Sequence, residues 1–320
     1  MLRLNRIIAL GESASGFDRK FLHRMQRRLF ITALFAAFGI AVCPAQAAQR
    51  GILLLAHGQH TMPMEGAHAN MDMGQPLWNQ NVNVVARELD KSEPTEIAFG
   101  MAEVPAIQGA IDRLQKRGVT TIVAVPLFIS SHSPIIGNFR YILGLSPTLP
   151  STTSIKHLGK VMHTAKIVMA NAMDADPIIS EILLGRAKSA AALNSPTTTI
   201  VLIAHGPNDD AENQLWLTDL ETHAAFLKAH GFHEVKGITR RDDAPPAIKD
   251  KALTEFRALV QTGDSVGQVV VVPVLLSEGG IEDELKEDLK GLSFTFTKPL
   301  LPDPKIAQWV LKQADEATRH

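Results

Sequence analysis

Near-continuous apolar runs alternate with stretches of helical period along most of the chain. Gly51 to Ala56, Glu96 to Met101, Ile122 to Ile129 and the run beginning at Thr199 are short and largely apolar. That is how strands buried on both faces of a parallel sheet read. Between them, Ile107, Ala110, Ile111 and Leu114 fall on one helical stripe, with Pro105 in the first turn and Lys116, Arg117 and Gly118 closing the end. Leu217, Leu220, Ala224 and Leu227 form a second stripe closed by His230 and Gly231, and a further helix is expected over Asp176 to Leu193. Strands buried on both faces need helices above and below, so the pattern predicts an α/β fold.

The pattern also repeats. "GILLLAHGQH" from Gly51 returns as "TIVLIAHGPN" from Thr199, "TTIVAVPLFIS" from Thr120 as "GQVVVVPVLLS" from Gly267, and "VPAIQGAI" from Val104 more loosely as "PPAIKDKAL" from Pro245. The echoes keep one order, and His57 precedes Pro126 by nearly the separation at which His205 precedes Pro273. A duplicated unit is the simplest source of such order. The chain therefore divides into a leader, 1–48, an N-terminal domain, 49–194, and a C-terminal domain, 195–320, joined near "NSPTTT" at Asn194.

Composition removes some functions. A formal charge of -1 and the absence of basic runs outside the leader leave nothing to neutralise phosphates, so nucleic acid is not an expected partner. Within the leader, "MQRRLFITALFAAFGIAVCPAQAAQ" joins a basic start at Met25, an apolar run from Leu29 to Val42 and a small-x-small Ala45, Gln46, Ala47 site. This reads as a secretory signal with translation beginning at Met25, giving a periplasmic or secreted protein with no stable membrane insertion after cleavage. The apolar run is short for a span of about 20 residues. Cys43 is the single cysteine and leaves with the signal, so any metal site in the mature chain must use histidine, methionine or carboxylate.

In open parallel sheets, ligands settle at the carboxyl ends of the strands. His57 follows the first strand, Glu103 the second and His132 the third. Two imidazoles and one carboxylate make a set suited to Co(II), Fe(II), Ni(II) or Zn(II). Each residue has a plainer reading: a strand-end histidine can simply bond a loop, and Glu103 can serve the start of its helix. Ser131 beside His132 does not make a hydrolase pair, since neighbouring strand-end residues point apart and no Gly-x-Ser-x-Gly elbow is present.

"LLLAHG", "AFGMAEVPAIQGAI" and "VPLFISSHS", in this order, resemble the class II chelatases, in particular the sirohydrochlorin cobaltochelatase family, with ferrochelatase more distant. The resemblance covers most of Gly51 to Leu145 and recurs faintly in the second half. It implies two Rossmann-like domains, each a mainly parallel sheet flanked by helices, facing a tetrapyrrole cleft. It also implies a divalent metal held by His57 and His132 and assisted by Glu103, with the ion as substrate or ligand and no organic cofactor. On that reading the catalytic residues are His57, Glu103 and His132.

The second half departs from the pattern. His205 remains, as an auxiliary metal contact, but the place of His132 falls on Gly279, and the Glu103 counterpart falls near Asp243 and Ala244. The acidic run from Glu282 to Asp288 reads as a solvated helix face, with Glu282 suited to the helix start. A Met/His stretch, with His60, Met62, Met64, His68, Met71 and Met73, suits either metal capture or an adaptable lid. It favours a competing function, a non-catalytic carrier of metal or tetrapyrrole. His157, His163, His223, His230 and His233 read as surface or cap groups, and Trp78, Trp216 and Trp309 as core.

Overall fold

A computed structural model describes residues 49–58, 77–155, 157–191, 195–279 and 281–319. The leader and the Met/His stretch lie outside the described residues. Strands β1 (Arg50–Ala56), β2 (Thr95–Phe99), β3 (Thr121–Leu127) and β4 (Lys166–Met169) form one sheet in the order β2-β1-β3-β4. Strands β5 (Thr199–Ala204), β6 (Glu234–Thr239), β7 (Val269–Pro273) and β8 (Thr295–Phe296) form another in the order β6-β5-β7-β8. Every pairing is parallel. The repeat in the sequence is therefore a repeat of topology. In both sheets the winding reverses beside the first strand, which places the switch points between β1 and β3 and between β5 and β7.

The helices are α1 (Leu77–Leu89), α2 (Val104–Lys116), α3 (Pro134–Ile142), α4 (Pro177–Ala190), α5 (Asp210–Lys228), α6 (Pro246–Asp264), α7 (Ile281–Asp288) and α8 (Lys305–Thr318). Helix α2 buries the expected Ile107, Ala110, Ile111 and Leu114, and Gly118 turns the chain out at φ +84°. Helix α4 begins at Pro177 because Asp176 caps it by accepting a bond from the Ile178 amide, and it ends at Ala190, short of the expected Leu193. Among the described residues no helix is long and apolar enough to cross a membrane.

The two faces of each sheet have different neighbours. Leu53, Leu55, Ile122 and Ala124 meet Ile107, Ile111 and Phe139 of α2 and α3, while Val201, Ile203 and Val271 meet Phe256 and Val260 of α6. The opposite faces join one core: Ile52, Leu54, Val123 and Val125 cluster with Ile200, Leu202, Val270 and Val272 through the helices between. Helix α8 packs on β3 and β4 of the first sheet, and α4 packs on β7 of the second. Arg50 on β1 accordingly pairs with Asp315 on α8 at 2.6 Å, and Arg186 on α4 donates to the carbonyls of Pro299, Leu300 and Pro302. Each half lends its last helix to the other, which the repeat pattern alone did not reveal.

Two smaller expectations are corrected. Helix α7 is not simply a solvated acidic face: Glu284 and Asp288 pair with the buried Arg240 at 2.7 and 2.8 Å, while Glu282, as expected, serves the helix start, buried and accepting from the Gly279 amide. His223 is not a surface group but a buried one. Its Nε2 donates to the Asp174 carbonyl at 2.9 Å and its Nδ1 faces Ser180 Oγ at 2.7 Å.

Candidate metal centre

Ala56, the last residue of β1, is in register with Phe99 of β2 and Leu127 of β3, so the residues after all three strands leave from one edge of the sheet. His57 comes first. Its ring stands edge-on to Trp78 with centroids 5.4 Å apart and planes at 60°. Gly58 follows because there is no room for a side chain: a Cβ there would lie 2.5 Å from Phe99 and 2.7 Å from Asn79. The second sheet repeats the device, and at Gly206 the backbone is also left-handed, at φ +76°, with Thr239 filling the space.

His57 is reachable by solvent but surrounded by protein. Burial is the main cause that pushes its pKa below 6.5, and the nearby His205 adds to it. The histidines ending β1 and β5 thus feel one another across the two halves. A lowered pKa keeps an imidazole neutral, the state in which its nitrogen can bind a metal or accept a proton.

Glu103 returns to the rim through a tight turn in which Gly100 and Ala102 both have positive φ, +123° and +65°. Such a conformation at alanine is a strained one that the surrounding fold must hold. Glu103 occupies the N-cap position of α2, yet its side chain makes no cap bond and is exposed. Its place at the helix start agrees with the plainer reading through the helix dipole, although no side-chain cap bond is made.

His132 lies in the loop after β3, beside a crevice of about 330 Å³ bounded by Arg140 and Thr152 on one side and Glu212 and Leu215 of α5 on the other. Its ring nitrogen, an Asp174 oxygen and an Asp219 oxygen all lie within 4.8 Å of one another. A second such group contains His205, Asp242 and Asp243, in which His205 Nε2 is 3.3 Å from Asp242 and 3.5 Å from Asp243. Among the described residues, His57 and Glu103 belong to neither group. The fold thus brings His57, Glu103 and His132 to one rim without drawing their ligand atoms together. Neighbouring strands stand about 4.8 Å apart, and Glu103 and His132 lie several residues beyond theirs, so rim position alone does not close a coordination shell.

Asp174 and Asp219 were not anticipated. Asp174 lies beyond the end of β4, a four-residue edge strand, and Asp219 sits on α5 among the positions expected to face outward. The Asp219 carboxyl is raised above the ordinary carboxylate range by burial first and then by the charge of Asp174, with His132 and Ser130 acting against it. Ser131 is occupied structurally: its hydroxyl donates to Asp174 at 2.8 Å and accepts from the Ala172 amide at 2.9 Å. This agrees with setting the hydrolase reading aside.

The chain matches the CbiX family twice, over residues 73–190 and 199–317. The first match begins at Met73, the last residue of the Met/His stretch, and leaves β1 outside it, whereas the second takes in the whole of β5. A sirohydrochlorin cobaltochelatase of Methanothermobacter thermautotrophicus is 26% identical over 143 residues, covering 44% of this chain and 92% of that protein. SirB from Bacillus subtilis with Fe3+ is similar in structure, with a TM-score of 0.58 at 18% identity over 84% of this chain and 95% of that one. SirB from Bacillus subtilis subspecies spizizenii, in complex with cobalt, gives a TM-score of 0.55 at 16% identity, over 85% and 96%. At such identities the two structures speak for the fold. The fold places a histidine at the switch point of each sheet, and the double match spans both halves: the chain belongs to the CbiX family of class II chelatases, as two CbiX domains in tandem.

Proposed function

We propose that this protein inserts a divalent metal ion, Co(II), Fe(II) or Ni(II), into a tetrapyrrole such as sirohydrochlorin. The ion is the substrate, taken up by His57, Glu103 and His132 as their side chains close on it from the shared rim, with His205 as an auxiliary contact from the second half. The observation that carries this reading is His57 itself, a strand-end imidazole at the switch point of β1 whose surroundings favour its neutral form. Insertion requires two pyrrole N–H protons to leave as the ion passes from protein to ring nitrogens. A neutral imidazole can release the ion and then take up one proton, and the Glu103 carboxylate can relay the other to solvent while balancing charge. Once Cys43 left with the signal, the chain would offer no thiolate, which would hold such an ion too firmly to give it up.

A carrier that binds metal or tetrapyrrole without turnover is the second reading. It is favoured by the Met/His stretch that follows His57 in the sequence, and by the leader, which would send the protein to the periplasm. One assay separates the two. The purified chain mixed with sirohydrochlorin and Co(II) is expected to shift the tetrapyrrole absorbance faster than buffer alone. Loss of the general base should slow it by about a hundredfold or more in His57→Ala. No acceleration with Co(II), Fe(II) or Ni(II) leaves the carrier.

A further inference from the structure

The duplication lets the chain be compared with itself. Helices α1 and α5 follow the first strand of each half, and each carries a Leu-Trp pair with a polar residue three places after the indole: Trp78 and Asn81 on α1, Trp216 and Asp219 on α5. Each helix meets the other half at the loop beyond that half's third strand. Asn81 Nδ2 donates to Ser277 Oγ at 2.8 Å, and Ser130 Oγ donates to Asp219 at 3.4 Å. The two serines are counterparts, each four places after the strand proline, Pro126 or Pro273.

The contacts match, but the chemistry does not. Trp216 Nε1 donates to the His132 carbonyl at 3.0 Å. Its counterpart Trp78 stands against Gly279, which holds the place of His132, and its Nε1 has no partner among the described residues. Where the loop carries an imidazole, the facing helix carries a carboxylate. Where the loop carries glycine, the helix carries a neutral amide. Imidazole and carboxylate are present together or absent together, as expected of groups that act on one ligand.

Asp174 supplies the third group, and it is firmly held. Its two oxygens accept from the Ser131 amide at 2.6 Å and the Ser131 hydroxyl at 2.8 Å, and His223 of α5 bonds its carbonyl. Its backbone is left-handed, at φ +42°. Among the described residues His132 makes no direct ion pair with either carboxylate, although the three ligand atoms lie within 4.8 Å of one another. That spacing leaves room between them for an ion with bonds of about 2.0–2.2 Å after small side-chain movements.

We infer that His132, Asp174 and Asp219 form a divalent-cation site shared between the two halves, in which Asp219 of the second half completes the ligand set of the first. One imidazole and two carboxylates select borderline to hard divalent ions such as Co(II), Fe(II), Mn(II) or Zn(II). His132 also belongs to the insertion set, so the site is where the ion waits before insertion. That role rests on the function proposed above; the binding does not.

The test is a Co(II) titration of the whole chain without tetrapyrrole, read by calorimetry and by visible cobalt absorption. In a His57→Ala background, one equivalent of Co(II) is expected to remain bound. Adding Asp219→Asn or Asp174→Asn should weaken that equivalent by about tenfold or more, with thermal unfolding unchanged. Asparagine tolerates the left-handed backbone at 174, so the second variant decides the matter if the first fails to fold. Loss of all binding in His57→Ala, or binding indifferent to both aspartates, overturns the site. Sirohydrochlorin metallation is measured separately: Co(II) bound through the aspartates with no metallation keeps the site and removes the insertion reading, and metallation with no aspartate dependence of binding does the reverse.

Discussion

At the scale of single residues, the histidines divide by what surrounds them. His57 and His223 both have lowered pKa values, chiefly through burial, so each folded-state imidazole resists protonation that the unfolded chain accepts near 6.5. As pH falls below 6.5 the unfolded state binds more protons than the folded one. Their stabilising effect is therefore complete above 6.5 and declines as pH drops towards the folded-state values. Urea midpoints measured between pH 8 and pH 5 should fall on the acid side, and His223→Gln should flatten that fall; an equal slope in the variant would show that His223 does not titrate on unfolding. His57 stood out in the sequence because Ala-His-Gly ends a buried strand twice. His223 was read as a surface or cap group, although it shares the buried face of α5 with Trp216, Leu220, Ala224 and Leu227. A polar side chain on an apolar stripe shows its burial only when its bonding partners, here Ser180 and the Asp174 carbonyl, are known.

At the scale of elements, the strands and their glycines carry the strongest constraints. Gly206 has φ +76°, and a Cβ there would sit 2.5 Å from Thr239 Cβ. Gly206→Ala is therefore expected to lower stability by about 1–3 kcal/mol by chemical denaturation. Gly185 is the contrast: it lies exposed within α4 and nothing stands within 4 Å of an added Cβ. Gly185→Ala should raise stability by about 0.5–1 kcal/mol through helix propensity. If the two substitutions shifted stability in the same direction, the steric account of the Ala-His-Gly turn would fail. Helix α7 shows where element-level reading stopped short. Its acidic run gives the sign of the charge, but the cation that Glu284 and Asp288 face, Arg240, belongs to the loop after β6.

At the scale of the molecule, the halves are interlocked. Trp309 of α8 is fully buried in the core that joins Ile52 and Leu54 to Ile200 and Leu202. Trp309→Ala should cost about 3–5 kcal/mol. Because α8 covers the first sheet and α4 the second, that loss should destabilise both halves together. Urea unfolding followed by two spectroscopic probes is expected to give one coincident transition in the parent and the variant. Two separated transitions would contradict a shared core. The same interlocking fixes α5 over the loop after β3, bringing Asp219 to His132.

Sequence alone determined the α/β class, the duplication, and the three strand ends bearing His57, Glu103 and His132, because apolar periodicity and glycine placement record burial and backbone need along the chain. Only the tertiary structure decided which side chains share a space. It set Asp174 and Asp219 around His132, set Asp242 and Asp243 around His205, and exchanged the last helices of the two halves. Those meetings depend on how one half is turned against the other and on the rotamers chosen at the contact. Distant segments that pack together leave no periodic trace in either one.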